Sequence, residues 1–171
     1  MINPNKIKVH TFVLKGTAVL AVAAIFAVVL LFTGCSDGGS GDGNIEGVWK
    51  LVSIKRNSDP LETYPETVSA GTTLQPYLCF SEGKVYIACE MEITGDPANS
   101  GLFKGTGEFD TWNIPYTFAN GILTIEGVSV SFIISGNTAT ATISDGSGTE
   151  VTILTRVSSP TVEEIKAAKT S

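Results

Sequence analysis

Between Asn44 and Val157 the chain consists of short runs in which apolar and polar side chains alternate, separated by Gly- and Asn-containing turns. That pattern restricts the fold to β-strands buried on one face. It is clearest in the second half. Ile114, Tyr116 and Phe118 alternate with Pro115 and Thr117, and Asn120-Gly121 supplies a two-residue hairpin turn. Leu123 and Ile125 follow, then Val128, Val130, Phe132 and Ile134. Gly136-Asn137 turns the chain into a small-residue strand from Thr138 to Ile143, and Asp145-Gly146-Ser147-Gly148 turns it again into Thr149–Arg156. In the first half, Ile45, Gly47, Trp49 and Leu51 share one face of a strand from Ile45 to Lys55. Tyr77–Phe80 and Lys84–Glu90 flank Ser81-Glu82-Gly83 as a hairpin, and Phe103, Gly105, Gly107 and Phe109 share the face of a further run. Eight or nine strands with short connections predict an all-β fold. The expected form is an antiparallel up-and-down β-barrel of about eight strands, because closure removes both sheet edges.

Two segments break the rhythm. Residues 57–76 contain Pro60, Pro65 and Pro76 and show no strand pattern, so they read as an overlong surface loop, a lid or a binding loop. The C-terminal stretch reads as a short helix, with Ser159 as N-cap, Pro160 at the first helical position and Glu163 and Glu164 in the first turn. Val162 and Ile165 fall on one face of it, which predicts docking on the barrel.

The N-terminus has a different character. Lys6, Lys8 and Lys15 precede an uncharged apolar stretch from Gly16 to Gly34, and Cys35 follows directly. A basic region, an apolar core and small residues before a cut site make an export signal. The Thr33-Gly34-Cys35 ending resembles the lipobox of bacterial lipoproteins, with Phe32 where that family usually carries Leu, Val or Ile. The resemblance implies that Cys35 is lipidated and becomes the first mature residue. The alternative is an uncleaved anchor, since Gly16–Gly34 approaches the ~20 residues that a membrane-crossing helix needs. Residues 1–34 are thus expected to be a signal peptide and residues 35–43 a lipidated Cys with a Gly/Ser/Asp-rich linker. Residues 44–171 form one domain outside the cytoplasm. The resemblance places the protein in the cell envelope on a bacterial membrane, the outer in preference to the inner.

Composition excludes several classes. All 17 acidic residues and 8 of the 11 Lys and Arg lie from Cys35 onward, a net charge of 8 − 17 = −9. That balance opposes binding to nucleic acid. The single His is His10, inside the signal, so the domain has no imidazole for a catalytic triad or a His metal site. Paired carboxylates such as Glu90 and Glu92 read as solvated surface charges. No enzyme, cofactor or metal site is expected.

Gly47-Val48-Trp49 at the start of the first strand, with Arg156 at the end of the last, resembles the lipocalin pattern. The Thr-Asp-Tyr motif of the best-known lipocalins is absent. The resemblance spans about residues 44–170 and is greatest with the small lipocalin-like domains of bacterial lipoproteins. It implies that Trp49 plugs the closed end of the barrel with Arg156 stacked over it. It also implies a small apolar or amphipathic ligand at the open end, with Tyr64, Tyr77, Tyr86, Phe103, Tyr116 and Phe118 as candidates for lining or lid. The other reading is a filled barrel that contacts an envelope protein partner.

Cys79 and Cys89 remain after lipidation of Cys35. A two-residue Glu82-Gly83 loop would put Cys79 opposite Tyr86 and Cys89 on the other face. A three-residue loop would put the two cysteines on the same face, within reach of a disulfide. The register stays open at this point.

Overall fold

The structure, a computed structural model, describes residues 43–105, 112–146 and 148–170. The expected signal peptide, Cys35 and the linker up to residue 42 lie outside the described residues, as do Gly107, Phe109 and Ser147. Among the described residues, no helix is long and apolar enough to cross a membrane.

The described chain forms eleven β-segments, one 3-10 turn at Pro97–Asn99 and one short α-helix. The segments are β1 (Gly47–Arg56), β2 (Glu62–Thr63), β3 (Glu66–Ser69), β4 (Thr72–Ser81), β5 (Lys84–Ile93) and β6 (Gly101–Lys104). They continue as β7 (Trp112–Ala119), β8 (Ile122–Ile125), β9 (Val128–Ser135), β10 (Thr138–Asp145) and β11 (Gly148–Val157), followed by α1 (Val162–Lys166). Antiparallel pairing runs β1-β11-β10-β9-β8-β7-β5-β4, and β4 returns to β1. Eight strands therefore close into the expected barrel. The remaining three are short: β2 pairs with β1, β3 with β4 and β6 with β5.

The turns follow from local chemistry. Asn120 and Gly121 both take positive φ, 52° and 73°, which is the two-residue hairpin geometry that Asn-Gly favours. Glu82-Gly83 does the same at 56° and 72°, joining Ser81 to Lys84.

The barrel interior holds one apolar cluster. Its larger members include Trp49, Leu51, Ile54, Phe80, Leu123, Ile125 and Phe132, none more than 2% exposed. Ring edges link its aromatics: Trp49 and Phe80 each meet Phe132 at 5.9 Å, and Tyr116 meets Phe80 at 5.1 Å. Ala139 and Ala141 leave room for these rings on the β10 side. A second cluster lies outside the barrel wall, where Ile165 of α1 and Ala168 just after it cover Val48, Tyr77, Cys79, Tyr86 and Ala88. Strand β4 is consequently buried on both faces over its second half. Both clusters draw their buried side chains from residues 45–168.

Two expectations need correction. The helix is capped by Thr161, not Ser159, and Pro160 precedes the cap. Thr161 Oγ1 accepts from the Glu164 amide, while the Glu164 carboxylate accepts from the Thr161 amide, and this reciprocal box satisfies two end donors at once. The second correction concerns residues 57–76, which contain β2, β3 and the start of β4 rather than one irregular loop. The strand pattern is hidden because β2 and β3 are only 2 and 4 residues long and Pro76 sits within β4.

Candidate functional site: the two ends of the barrel

At the closed end, Trp49 is fully buried and its indole N–H donates to the Ile45 carbonyl at 2.7 Å. The Arg156 guanidinium lies 4.4 Å from the Trp49 ring centroid. Its Nη1 donates to the Glu46 carbonyl at 2.5 Å and its Nη2 to the Asn44 carbonyl. Gly47 sits between them with φ of 118°, a backbone state open to glycine, and a Cβ there would stand 3.4 Å from Arg156 Nη1. Tyr116 O–H donates to Glu46 Oε1 at 2.7 Å, tying β7 to the same corner. This end is a stacked plug.

The opposite end is built by a split in the wall. Strand β1 pairs with β4 only from Gly47 to Lys50. Beyond that, the β1 register shifts at Val52, between Leu51 and Ser53, while Pro76 offers no N–H to continue the ladder. The Gln75 side-chain Nε2 donates instead to the Leu51 carbonyl at 2.9 Å. Into the opening comes the 57–71 strap. The Tyr64 amide donates to the Val52 carbonyl at 2.9 Å, and the Tyr64 ring is 8% exposed within the barrel cluster.

A charged cluster lies on one side of this mouth. Beyond the register shift at Val52, the buried face of β1 passes through Ile54 to Arg56, which pairs across the ladder with Glu150. Arg56 Nε meets Glu150 Oε2 at 2.5 Å and Nη1 meets Glu62 Oε1 at 2.7 Å. Tyr64 O–H approaches Glu62 Oε2 at 3.4 Å. Glu66, opposite Leu74 on β4, completes the group. Burial pushes the Glu66 carboxyl above its usual range, and the neighbouring Glu62 charge adds to that. Burial also raises Glu150, against the opposing pull of Arg56. Burial raises the Tyr64 phenol most of all, with Glu62 and Glu66 reinforcing it. Among the described residues, no group of three or more His, Cys, Asp or Glu side chains is placed to hold a metal ion.

The six aromatic candidates divide. Tyr64 enters the barrel at the mouth. Tyr116 and Phe118 pack on the interior cluster, but Tyr116 does so at the plugged end. Tyr77 and Tyr86 do not line the interior; they lie outside the wall beneath α1, where Tyr86 meets Trp112 edge-on at 5.4 Å. One residue of register decides this, because alternate positions on β4 and β5 face opposite ways. Phe103 lies on β6 with Lys169 Nζ 5.4 Å above its ring.

The two-residue turn also settles the cysteines. Cys79 stands opposite Tyr86 and Cys89 opposite Pro76, three rungs away on the other face. Both are free thiols, so the disulfide alternative falls. Burial raises each thiol to about 11.

The mouth cluster was missed in the sequence because its members are scattered over β1, β2, β3 and β11. One signal was present: Glu62, Tyr64 and Glu66 recur at spacing two, which is strand periodicity inside a proline-rich segment.

No protein-family model matches the chain, and comparisons with curated proteins and with solved structures returned no match.

Proposed function

We propose that this is a lipid-anchored envelope protein of the lipocalin-like kind, held by Cys35 at a bacterial membrane, whose barrel binds a small apolar or amphipathic molecule. It acts as a binding module rather than as an enzyme. The observation that carries the reading is the asymmetry of the closed barrel. One end is plugged by Trp49 and Arg156, and the other carries a cluster of charged side chains on β1, β2, β3 and β11 beside an apolar interior. Ligand sites in barrel mouths combine an apolar body with a few convergent polar groups in this way.

A second reading has its own observation. From Trp112 to Val157 the only charged residues are Glu126, Asp145, Glu150 and Arg156. On the outer face of β8 and β9, Ile122 is 43% and Ile133 37% exposed, diagonally across one pair of strands. A sparsely charged wall with exposed isoleucines fits a protein partner in the envelope.

Native mass spectrometry of the protein purified from its own host membranes discriminates the two. A co-purifying molecule of a few hundred daltons supports the barrel ligand. A stoichiometric protein partner with no small molecule overturns it in favour of the wall. The same spectrum reports the anchor, since a mature mass starting at Cys35 with acyl chains is expected and an intact Met1 terminus contradicts it.

A further inference from the structure

We propose that the outer wall formed by β8, β9 and β10 lies against the headgroup layer of the bilayer that holds the anchor, so that the acidic remainder of the domain faces away from the lipid. The proposal rests on the membrane anchor of the reading above and adds the face on which the domain sits.

The tether is short. Cys35 and Gly43 are 43 − 35 = 8 residues apart, so the chain between them spans at most ~28 Å. An uncleaved anchor ending at Gly34 would lengthen it by one residue. A domain of this size is about 35 Å across, so the tether keeps the Gly43 side toward the lipid. Gly43 lies against β9, where a Cβ on it would stand 2.9 Å from the Ile134 Cβ. Beside Ile134 is Ile133, 37% exposed on the outer wall, and Ile122 of β8 stands diagonal to it at 43%. The far side of the barrel is already covered, since the helix region packs on β4 and β5, across from β9.

The wall has the chemistry of a bilayer contact. Glu126, in the turn between β8 and β9, is the only charged residue from Trp112 to Ser144, in a chain whose net charge from Cys35 onward is 8 − 17 = −9. Carboxylates are repelled by anionic lipid, and this face is kept clear of them. The two isoleucines stand among hydroxyls instead. Ser131 is opposite Ile122 and Thr140 opposite Ile133, while Thr124 Oγ1 meets Ser129 Oγ at 2.9 Å. Hydroxyls both donate and accept, so they can bond to phosphate and ester oxygens. The isoleucine methyl groups can settle at the acyl boundary. A protein interface is centred on aromatic or arginine anchors, and the outward positions of β8, β9 and β10 hold neither.

The test uses the full chain with its own anchor, reconstituted into phosphatidylcholine nanodiscs with and without a lipid that carries a nitroxide on its headgroup. Isoleucine methyl NMR then reads which face is near the lipid. Ile122 and Ile133 should be broadened ~10-fold more than Ile165, which stands across a domain about 35 Å wide. Ile133→Glu should lower the broadening at Ile122 by at least ~3-fold, because the apolar burial of one half-exposed isoleucine is lost. Leu61→Glu, at an exposed position on the strap, should leave it unchanged. Equal broadening at Ile122, Ile133 and Ile165 overturns the contact, by showing that the domain turns freely on its tether, and leaves the wall to a protein partner. Greater broadening at Ile165 overturns it by putting the helix side on the lipid. An Ile122 signal indifferent to Ile133→Glu overturns it as well. A chain that separates from the nanodiscs on flotation overturns the anchor reading itself, and the wall contact with it.

Discussion

Trp49 and Arg156 set the closed end, and their contact makes a sharp energetic prediction. Trp49→Ala should cost about 3–5 kcal/mol in chemical denaturation, because the ring is fully buried. Arg156→Ala should cost about 2 kcal/mol, from the lost stacking and two lost hydrogen bonds to carbonyls. The losses should fall short of additive in a double-mutant cycle, since the groups touch; full additivity contradicts the contact. At the mouth, Glu66 makes stability depend on pH. A carboxyl whose folded-state value is raised takes its proton more readily in the folded chain, so protonation favours folding. That contribution is absent at neutral pH, grows as pH falls through the raised value and is complete below the unfolded value of about 4.3. Asp96 and Glu164, both lowered chiefly by hydrogen bonds from Asn99 and Thr161, act in the opposite sense at lower pH. Glu66→Gln should therefore raise the urea midpoint at pH 7 and reduce its change between pH 7 and 5; an unaltered pH profile contradicts the burial of its Oε2. The closed-end residues were readable in sequence because they open and close the strand series. The mouth carboxylates were not, because their roles follow from pairings between distant strands.

At the level of elements, the strap over 57–71 and the helix α1 do different jobs. The strap fills a split in the wall and contributes Tyr64 to the interior, so it is not a detachable lid. Replacing residues 59–70 by a Gly-Ser linker should cost at least about 3 kcal/mol, the scale of removing one buried aromatic ring. A midpoint that survives the replacement would show that the strap lies free on the surface. The helix is too short to persist alone and is held by its docking. Ile165→Ala, at a fully buried side chain, should cost about 2–5 kcal/mol, whereas Thr161→Ala should cost about 1 kcal/mol through the lost capping box. Comparable losses at the two positions in thermal denaturation would contradict docking as the main support. The docking face was legible from the spacing of Val162 and Ile165. The cap was misplaced because Ser159-Pro160 offers a plausible start, and only the reciprocal bonds of Thr161 and Glu164 show which start is used.

For the whole molecule, period-two patterning carried the barrel, and the Asn120-Gly121 turn fixed one hairpin without help from tertiary contacts. Patterning did not carry the inside of the first half. There, β4 is buried on both faces, so alternation vanishes just where Tyr77, Cys79, Tyr86 and Cys89 needed to be sorted. The proposed ligand site is the barrel interior beside the charged mouth. Isoleucine methyl groups report on this directly, because Ile54, Ile87 and Ile143 belong to the interior cluster or pack against it, while Ile122 and Ile133 are exposed on the outer wall. Methyl NMR spectra of the domain should be recorded during titration with the neutral apolar fluorophore N-phenyl-1-naphthylamine. Saturable shifts at Ile54, Ile87 and Ile143, with Ile122 and Ile133 unmoved, are the predicted result. Shifts confined to Ile122 and Ile133 would contradict it and assign binding to the outer wall.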